Sequence, residues 1–243
     1  MSLLSSLADI IYPPRCRICM DFLKEHPAGR GDICDTCYSG FRKLSHPCCT
    51  ICSEPFKSKV EEDHLCEKCL RKRPFYDRLR APYLYENALR EAVHLIKYSG
   101  KSCIVDSLGP LLGAFAKTRI KDAKDMIMMP VPLHKKKLRQ RGFNQSVLLV
   151  KAISPMLEAE TDLFTLIRTR YTESQAGLNL EQRRKNVKGA FEVRENKDLG
   201  GKGVILVDDV ATTGNTMNEC ARVLKKAGCR IILGLVLART AAY

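Results

Sequence analysis

Short apolar runs alternate with longer amphipathic stretches from about residue 75 onward. Three runs predict buried strands: "MIMM" at residues 126–129, "GVILV" at 203–207 and "CRIILGLVLA" at 229–238. Three stretches predict helices: "NALREAVHLIKY" at 87–98, "SVLLVKAISPML" at 146–157 and "TMNECARVLKKAG" at 216–228. Short continuous strands separated by helices are typical of a parallel sheet covered on both faces. The pattern therefore predicts an α/β fold built on an open parallel sheet.

The first 74 residues differ in character from the rest of the chain. Nine of the twelve cysteines lie between Cys16 and Cys69, and long apolar periodicity is weak there. From about Phe75 onward the sequence resembles an ordinary globular domain. We therefore predict a small cysteine-rich module over residues 1–74 and a larger α/β domain over residues 75–243.

Eight of those cysteines form four C-x-x-C pairs. The pairs are Cys16 with Cys19, Cys34 with Cys37, Cys49 with Cys52, and Cys66 with Cys69. Two such pairs supply the four thiolates of a tetrahedral structural zinc site, so the module is zinc-ribbon-like with one or two ions. Sequential pairing is our first expectation, and a crossed arrangement of the pairs stays open. Disulfides and redox-active pairs are less favoured alternatives, and Cys48 is expected to be a spare thiol.

The chain is strongly basic, with 41 Lys and Arg against 27 Asp and Glu and a net charge of +14. Such an excess favours polyanionic partners: nucleic acid, phosphorylated metabolites or an acidic membrane surface. The longest wholly apolar run, residues 231–238, has eight residues, whereas a membrane-spanning helix needs about 20. Residues 1–12 are apolar without the basic start of a secretory signal. We expect a short amphipathic helix there and a cytoplasmic protein.

Two adjacent acidic residues, Asp208 and Asp209, follow the predicted strand at 203–207 and precede "VATTGNT". Adjacent strand residues face opposite sides of a sheet, so we expect both carboxylates at the strand mouth, where ligands of parallel sheets bind. The threonines and Gly214 then lead into a helix whose first N–H groups attract a phosphate. Carboxylates for sugar hydroxyls beside donors for a phosphate describe a ribose 5-phosphate site. The alternative is that Asp209 and a threonine merely cap the helix.

Four segments together resemble a known family. They are the C-x-x-C pairs, "FYDRLRAPYLYENALREAVHLIKYSG", "PVPLHKKKLRQRGFNQS", and "SQAGLNLEQRRKNVKGAF" ahead of "VILVDDVATTGNT". The last stretch resembles type I phosphoribosyltransferases, which bind 5-phosphoribosyl 1-diphosphate (PRPP). The whole set, in this order and over nearly the whole chain, resembles the ComF family of competence proteins.

The resemblance implies a PRPP site with assigned roles. Asp208 and Asp209 would be the catalytic pair and would bind the ribose hydroxyls, directly or through Mg²⁺. The 5-phosphate would lie against Ala211, Thr212, Thr213, Gly214, Asn215 and Thr216, and the diphosphate against Val131, Pro132, Leu133 and His134. A flexible loop over the substrate would carry Arg141, Asn144, Gln175, Arg183 and Arg184. Such a cover would keep water from the reacting sugar.

The resemblance also implies a role in natural transformation, with single-stranded DNA and a competence helicase of the DNA-uptake machinery as partners. The basic run offers nucleic-acid-binding candidates: Lys135, Lys136, Lys137, Arg139 and Arg141. Because this run overlaps the diphosphate loop, DNA and PRPP would compete if they shared these cations.

Three functions stay open at this point. In purine-salvage members of the fold a loop carboxylate assists the base, and Thr212 occupies that position here. The first function is therefore a PRPP-binding competence protein that transfers phosphoribosyl to an unusual acceptor, binds PRPP without turnover, or binds nucleic acid under the control of PRPP. The alternatives are a metabolic phosphoribosyltransferase for nucleotide synthesis or salvage, and a non-catalytic protein whose zinc module reads DNA.

Overall fold

The computed structural model describes residues 13–23, 33–56, 62–172, 180–194 and 199–241. Within them the helices are α1 (Asp35–Ser39), α2 (Glu67–Arg71), α3 (Asn87–Tyr98), α4 (Ile104–Arg119), α5 (Lys135–Arg141), α6 (Gln145–Leu157), α7 (Leu180–Val187) and α8 (Asn215–Lys226). The strands are β1 (Arg78–Arg80), β2 (Tyr83–Leu84), β3 (Met126–Pro130), β4 (Glu160–Thr161), β5 (Leu166–Arg168), β6 (Phe191–Val193), β7 (Gly203–Ala211) and β8 (Ile231–Arg239). A 3-10 turn at Ala123–Asp125 precedes β3.

The central sheet has six strands, all parallel, in the order β1-β8-β7-β3-β4, with β2 also paired to β8. This confirms the predicted open parallel sheet. The two long strands, β7 and β8, lie at its centre and read as almost continuous apolar runs because helices cover both faces. Strands β5 and β6 form a separate antiparallel pair.

Each face of the sheet has its own hydrophobic core. On one face, Ile205 and Val207 of β7 belong to a cluster with α3, α4 and α6. On the other, Val204 and Leu206 belong to a cluster with α8. Helices α4 and α6 approach so closely that a Cβ added at Gly109 would lie 2.6 Å from the Ala152 Cβ atom, which explains glycine in the middle of α4.

The two halves of the cysteine-rich segment pack on different faces of the sheet. Cys16 and Cys37 are buried in the core of α3 and α4, whereas Cys49 and Cys69 are buried in the core of α8. Each hydrophobic core therefore contains residues from both sides of position 74. The domain boundary at residue 74 stays a prediction from composition.

Strand β7 is longer than its sequence pattern predicted. We expected it to end at Val207, but it continues to Ala211, with Asp208 paired to Val236 and Val210 to Ala238. The backbone hydrogen bonds to β8 keep the strand extended past the point where its apolar side chains end. The acidic pair consequently lies within the strand rather than after it. The helix expected over residues 1–12 lies outside the described residues, and none of the described helices has the length and hydropathy needed to cross a bilayer.

Candidate functional site

A cavity of about 650 Å³ opens at the carboxyl ends of β3 and β7. Eleven predicted PRPP-site residues line it: Asp208, Asp209, Ala211, Thr212, Thr213, Gly214, Asn215, Thr216, Val131, Pro132 and Leu133. Its other walls carry basic and aromatic residues that include Arg90, His94, Lys97, Tyr98, Lys137, Arg141 and Arg168. The fold therefore brings together segments separated by more than 100 residues, at the edge where parallel sheets bind ligands.

Asp208 is the first carboxylate of the cavity. Its Oδ1 accepts a hydrogen bond of 2.9 Å from the Ser146 hydroxyl at the start of α6. Burial of the carboxyl group, together with the neighbouring charge of Asp209, raises the pKa of Asp208 to about 7. Sequence reasoning missed Ser146, which orients this carboxylate.

Asp209 is the second carboxylate, and the structure corrects its expected setting. We expected it in a solvated strand mouth, but it is only 5% exposed and forms an ion pair with Lys97, with 2.6 Å between Oδ2 and Nζ. Burial would lower the pKa of Lys97, but the attraction of Asp209 outweighs burial and raises it. Both carboxylates still line the cavity, so the ion pair forms part of its wall.

The turn after β7, residues 212–214, lines the cavity. Gly214 has a φ of +76°, and a Cβ there would lie 3.1 Å from the Tyr76 hydroxyl. Glycine is therefore required by both conformation and space. Helix α8 begins at Asn215, directly after this turn. The Asn215 N–H donates to the Thr213 hydroxyl at 3.3 Å, and an anion at this end would meet the positive end of the helix dipole.

Arg239, at the end of β8, holds this turn from behind. It is 1% exposed, and its guanidinium donates to the backbone carbonyls of Ala211 and Thr212. The same guanidinium pairs with Glu54 and lies 3.8 Å from the Cys52 sulfur. Arg239 thus connects the second cysteine cluster to the turn. Its sequence position, at the end of an apolar strand, gave no signal of this role.

We expect Arg239→Met to reduce the free energy of unfolding by about 3 kcal/mol or more, because it leaves the buried Glu54 charge without its cationic partner. Chemical denaturation measures this loss. The matched variant Arg239→Met with Glu54→Gln removes the orphaned charge and should recover part of the stability. If Arg239→Met alone were as stable as the natural chain, the buried pair would have no structural role.

A set of basic side chains, here called the cationic wall, lines the same cavity as the two carboxylates. It consists of Lys137 and Arg141 of α5 and Arg168 of β5. Burial and the positive charges of Arg168 and Arg141 lower the pKa of Lys137, and burial lowers the pKa of Arg168. These cations repel one another. An anionic ligand would relieve that repulsion.

Helix α3 supplies a further basic stripe that sequence reasoning missed. Arg90, His94 and Lys97 follow one another at spacings of four and three, so they share a helix face, and all three line the cavity. The signal was present in "NALREAVHLIKY", whose apolar face of Leu89, Val93 and Ile96 leaves this polar face exposed. The prediction of this helix rested only on its apolar face.

Several predicted site residues lie elsewhere. His134 caps α5, its ring nitrogen accepting from the Lys136 N–H. Asn144, expected in a flexible loop, is buried, caps α6 through the Ser146 N–H and donates to the Val131 carbonyl. Lys135, Lys136 and Arg139 are exposed on α5. Gln175 lies outside the described residues, and Arg183 and Arg184 fall in α7 with undescribed side chains.

The four C-x-x-C pairs form two clusters with sequential pairing. Cys16, Cys19, Cys34 and Cys37 make one, and Cys49, Cys52, Cys66 and Cys69 the other, with all sulfurs in each within 4.8 Å of one another. This confirms our first expectation over the crossed arrangement. Cys48 belongs to neither cluster and lies beside His46 and Asp63.

The clusters fit zinc. The Cys19–Cys34 and Cys52–Cys66 sulfur distances are 3.6 and 3.7 Å, close to the edge of about 3.8 Å expected for a tetrahedron with Zn–S bonds of about 2.3 Å. Backbone N–H groups of Cys34 and Cys66 point at the Cys16 and Cys49 sulfurs, 3.4 Å away in each case. Such donors stabilise thiolates. Four sulfurs close each site, so zinc here is structural and leaves no open position for catalysis.

Comparison with known domain families supports both the cysteine-rich module and the α/β domain. A double zinc ribbon domain matches residues 7–70, and a phosphoribosyl transferase domain matches residues 144–243. Fold and site thus define a double zinc ribbon protein with a phosphoribosyltransferase-like α/β domain.

Whole-chain relatives narrow this class. The DNA utilization protein YhgH of Escherichia coli O157:H7 is 34% identical over 87% of this chain and 92% of its own length. Competence protein F of Haemophilus influenzae is 30% identical over 93% of this chain and 96% of its own. The chain belongs to the ComF family of competence proteins. Among solved structures, a purine phosphoribosyltransferase from Pyrococcus horikoshii is 19% identical over 56% of this chain and 72% of its own, with a TM-score of 0.36.

Proposed function

We propose that this protein binds PRPP with Mg²⁺ in the cavity at the end of β7. The supporting observation is the charge of the cavity lining, which combines the carboxylates of Asp208 and Asp209 with the cations of Lys137, Arg141 and Arg168. A ligand that carries both vicinal hydroxyls and phosphate groups matches this combination.

Each part of PRPP has a counterpart in the cavity. The ribose hydroxyls would meet the carboxylates of Asp208 and Asp209. The 5-phosphate would lie on the turn of Thr212–Gly214, and the diphosphate would lie near the loop after β3 and the cationic wall. The two carboxylates offer the hard oxygen ligands that Mg²⁺ prefers, and the bound ion would neutralise charge on the diphosphate.

Phosphoribosyl transfer is the chemistry that we propose for this site. The bond between ribose C1 and the diphosphate breaks, the diphosphate leaves, and an acceptor atom forms the new bond to C1. Lys137, Arg141 and Arg168 would stabilise the negative charge of the leaving diphosphate. Thr212 offers a hydroxyl where a carboxylate would assist a purine, so a purine is a poor candidate for the acceptor.

We further propose a role in natural transformation in the cytoplasm, with single-stranded DNA and a competence helicase as partners. The support is the net charge of +14 and the names of the relatives, competence protein F and DNA utilization protein YhgH. The basic side chains of helix α5 fall into two groups, one in the cavity and one on the surface. Lys137 and Arg141 line the cavity, whereas Lys135, Lys136 and Arg139 are exposed and are proposed DNA contacts.

Calorimetric titration of the zinc-loaded chain with PRPP tests the proposed ligand. We expect saturable binding of one PRPP per chain that requires Mg²⁺. Ribose 5-phosphate, which lacks the diphosphate, should bind at least tenfold more weakly, because it leaves the cationic wall unpaired. Failure of PRPP to bind with Mg²⁺ present would overturn the proposal. Release of diphosphate in the presence of candidate acceptors then reports turnover.

We expect the affinity for PRPP and Mg²⁺ to rise about tenfold between pH 6 and pH 8. The pKa of Asp208 is about 7, so its ionised fraction grows about tenfold over this range. Calorimetry at several pH values gives the profile. Asp208→Asn serves as the control, because it removes this group and keeps any pH dependence of the ligand's own phosphates. An identical slope in the variant would show that Asp208 is not the titrating group.

A further inference from the structure

A second cavity, of about 470 Å³, shares the turn residues Thr213, Gly214 and Asn215 with the PRPP cavity and has an otherwise different lining. One wall comes from the second zinc ribbon, from Lys68 to Tyr76. The facing wall comes from α8 and from Lys188, which follows α7. We call this cavity the ribbon groove.

The ribbon groove is strongly basic. Lys68, Lys72, Arg73 and Lys188 line it and are all exposed. Its only acidic lining residue within the described chain is Glu219, whose carboxylate already accepts from Arg222, at 2.7 Å, and from the Gly189 N–H. Among the described residues, no carboxylate forms an ion pair with Lys72 or Arg73. The groove therefore presents a surplus of positive charge to solvent.

An aromatic ring stands among these cations. Phe75 is 42% exposed, an unusual setting for a phenylalanine. Its position is fixed, because its backbone N–H donates to the Asn218 side chain of α8 at 2.7 Å and the next residue, Tyr76, is 5% exposed. A held, exposed ring flanked by cations is the arrangement that binds single strands, with bases on the ring and phosphates on the basic side chains.

We propose that the ribbon groove binds single-stranded nucleic acid, with phosphates at Lys72 and Arg73 and one base stacked on Phe75. The proposal locates the DNA partner of the proposed function and rests on it. A paired base cannot offer its face to Phe75, so the groove prefers single strands to duplexes. An acidic peptide would satisfy the cations but would leave the exposed ring without a stacking partner.

The location changes how the two ligands relate. DNA bound through Lys137 and Arg141 of α5 would compete with PRPP, because both side chains line the PRPP cavity. The ribbon groove shares only Thr213, Gly214 and Asn215 with the lining of the PRPP cavity, and it shares none of the cations. DNA in the groove and PRPP in the cavity therefore bind to the same chain at the same time.

The charge of the groove is tested with Lys72→Glu and Arg73→Glu together, on the zinc-loaded full chain. Fluorescence anisotropy with an oligothymidylate of about 20 nucleotides gives the affinity. We expect at least a tenfold loss, and a salt slope smaller by about 1.4, since each lost phosphate contact on a single strand contributes about 0.7. Lys121→Glu with Lys124→Glu is the control. It makes the same change in net charge beside the amino end of β3, and it should stay within threefold of the natural chain.

The ring is tested with Phe75→Leu against Phe75→Tyr. Loss of one base stack should weaken binding about fivefold or more in the leucine variant. The tyrosine variant keeps the ring and should bind as the natural chain does. Equal affinity of both variants would overturn the stacking assignment.

Three further results would overturn the proposal. The first is an equal loss of DNA affinity in the Lys72→Glu, Arg73→Glu variant and in its control. The second is binding of a polyglutamate peptide as tight as that of the oligothymidylate. The third is displacement of bound DNA by saturating PRPP with Mg²⁺. PRPP titration of the same variants separates the two proposals. If the groove variants bind both PRPP and DNA as tightly as the natural chain does, only the proposal for the ribbon groove is contradicted. If the natural chain does not bind PRPP, the proposed function is contradicted.

Discussion

Replacing both carboxylates, Asp208→Asn with Asp209→Asn, is expected to reduce the affinity for PRPP and Mg²⁺ at least a hundredfold. Each carboxylate is proposed to accept charge-assisted hydrogen bonds from the ribose or to hold the metal. Such bonds contribute about 1.5–3 kcal/mol each, so the loss of two exceeds about 3 kcal/mol. Calorimetric titration measures the affinity. Binding that survived the double change would remove the sugar contact from the proposal.

Loss of binding must be separated from loss of folding. Asp208 has its pKa raised from 3.8 to about 7, so the folded protein holds a proton that the unfolded chain releases. The stability contributed by this group therefore falls as the pH rises from about 4 to about 7. Asp208→Asn should then raise the unfolding temperature more at pH 8 than at pH 5. A single variant that is more stable yet binds PRPP poorly shows that the carboxylate is kept for function.

The second large effect concerns the zinc ribbons. Cys49→Ser opens one four-cysteine cluster, and closed zinc sites contribute on the order of 10 kcal/mol each. That amount matches the whole stability of a typical domain, about 5–15 kcal/mol. We therefore expect the variant to retain one zinc per chain instead of two and to lose the packing of its second ribbon against α8. Zinc released under denaturing conditions and the unfolding curve report both effects.

Cys48→Ser is the matched control, because it changes the neighbouring thiol, which lies outside both clusters. It should keep two zinc ions per chain. The Cys49 variant should also bind PRPP poorly, since Arg239 connects Cys52 and Glu54 to the Thr212 carbonyl. Two zinc ions retained by Cys49→Ser would contradict the assignment of Cys49 as a zinc ligand.

The sequence by itself determined the features that depend on local pattern. The apolar period of "NALREAVHLIKY" predicted α3 with the bounds that the structure has, Asn87–Tyr98. Continuous apolar runs predicted β3, β7 and β8 and their parallel arrangement. The C-x-x-C spacing predicted the zinc ligands, because two thiolates from one tight turn must converge on one ion.

Only the tertiary structure decided which distant residues meet. The pairing of Lys97 with Asp209 and the contact of Arg239 with Glu54 join positions more than 100 residues apart, and Arg239 also reaches the Thr212 carbonyl, 27 residues away. No local pattern encodes such contacts, since they follow from how helices and ribbons pack on the sheet. The length of β7 was decided in the same way. Apolar propensity ends at Val207, but hydrogen bonding to β8 carries the strand to Ala211 and sets the two carboxylates in the cavity wall.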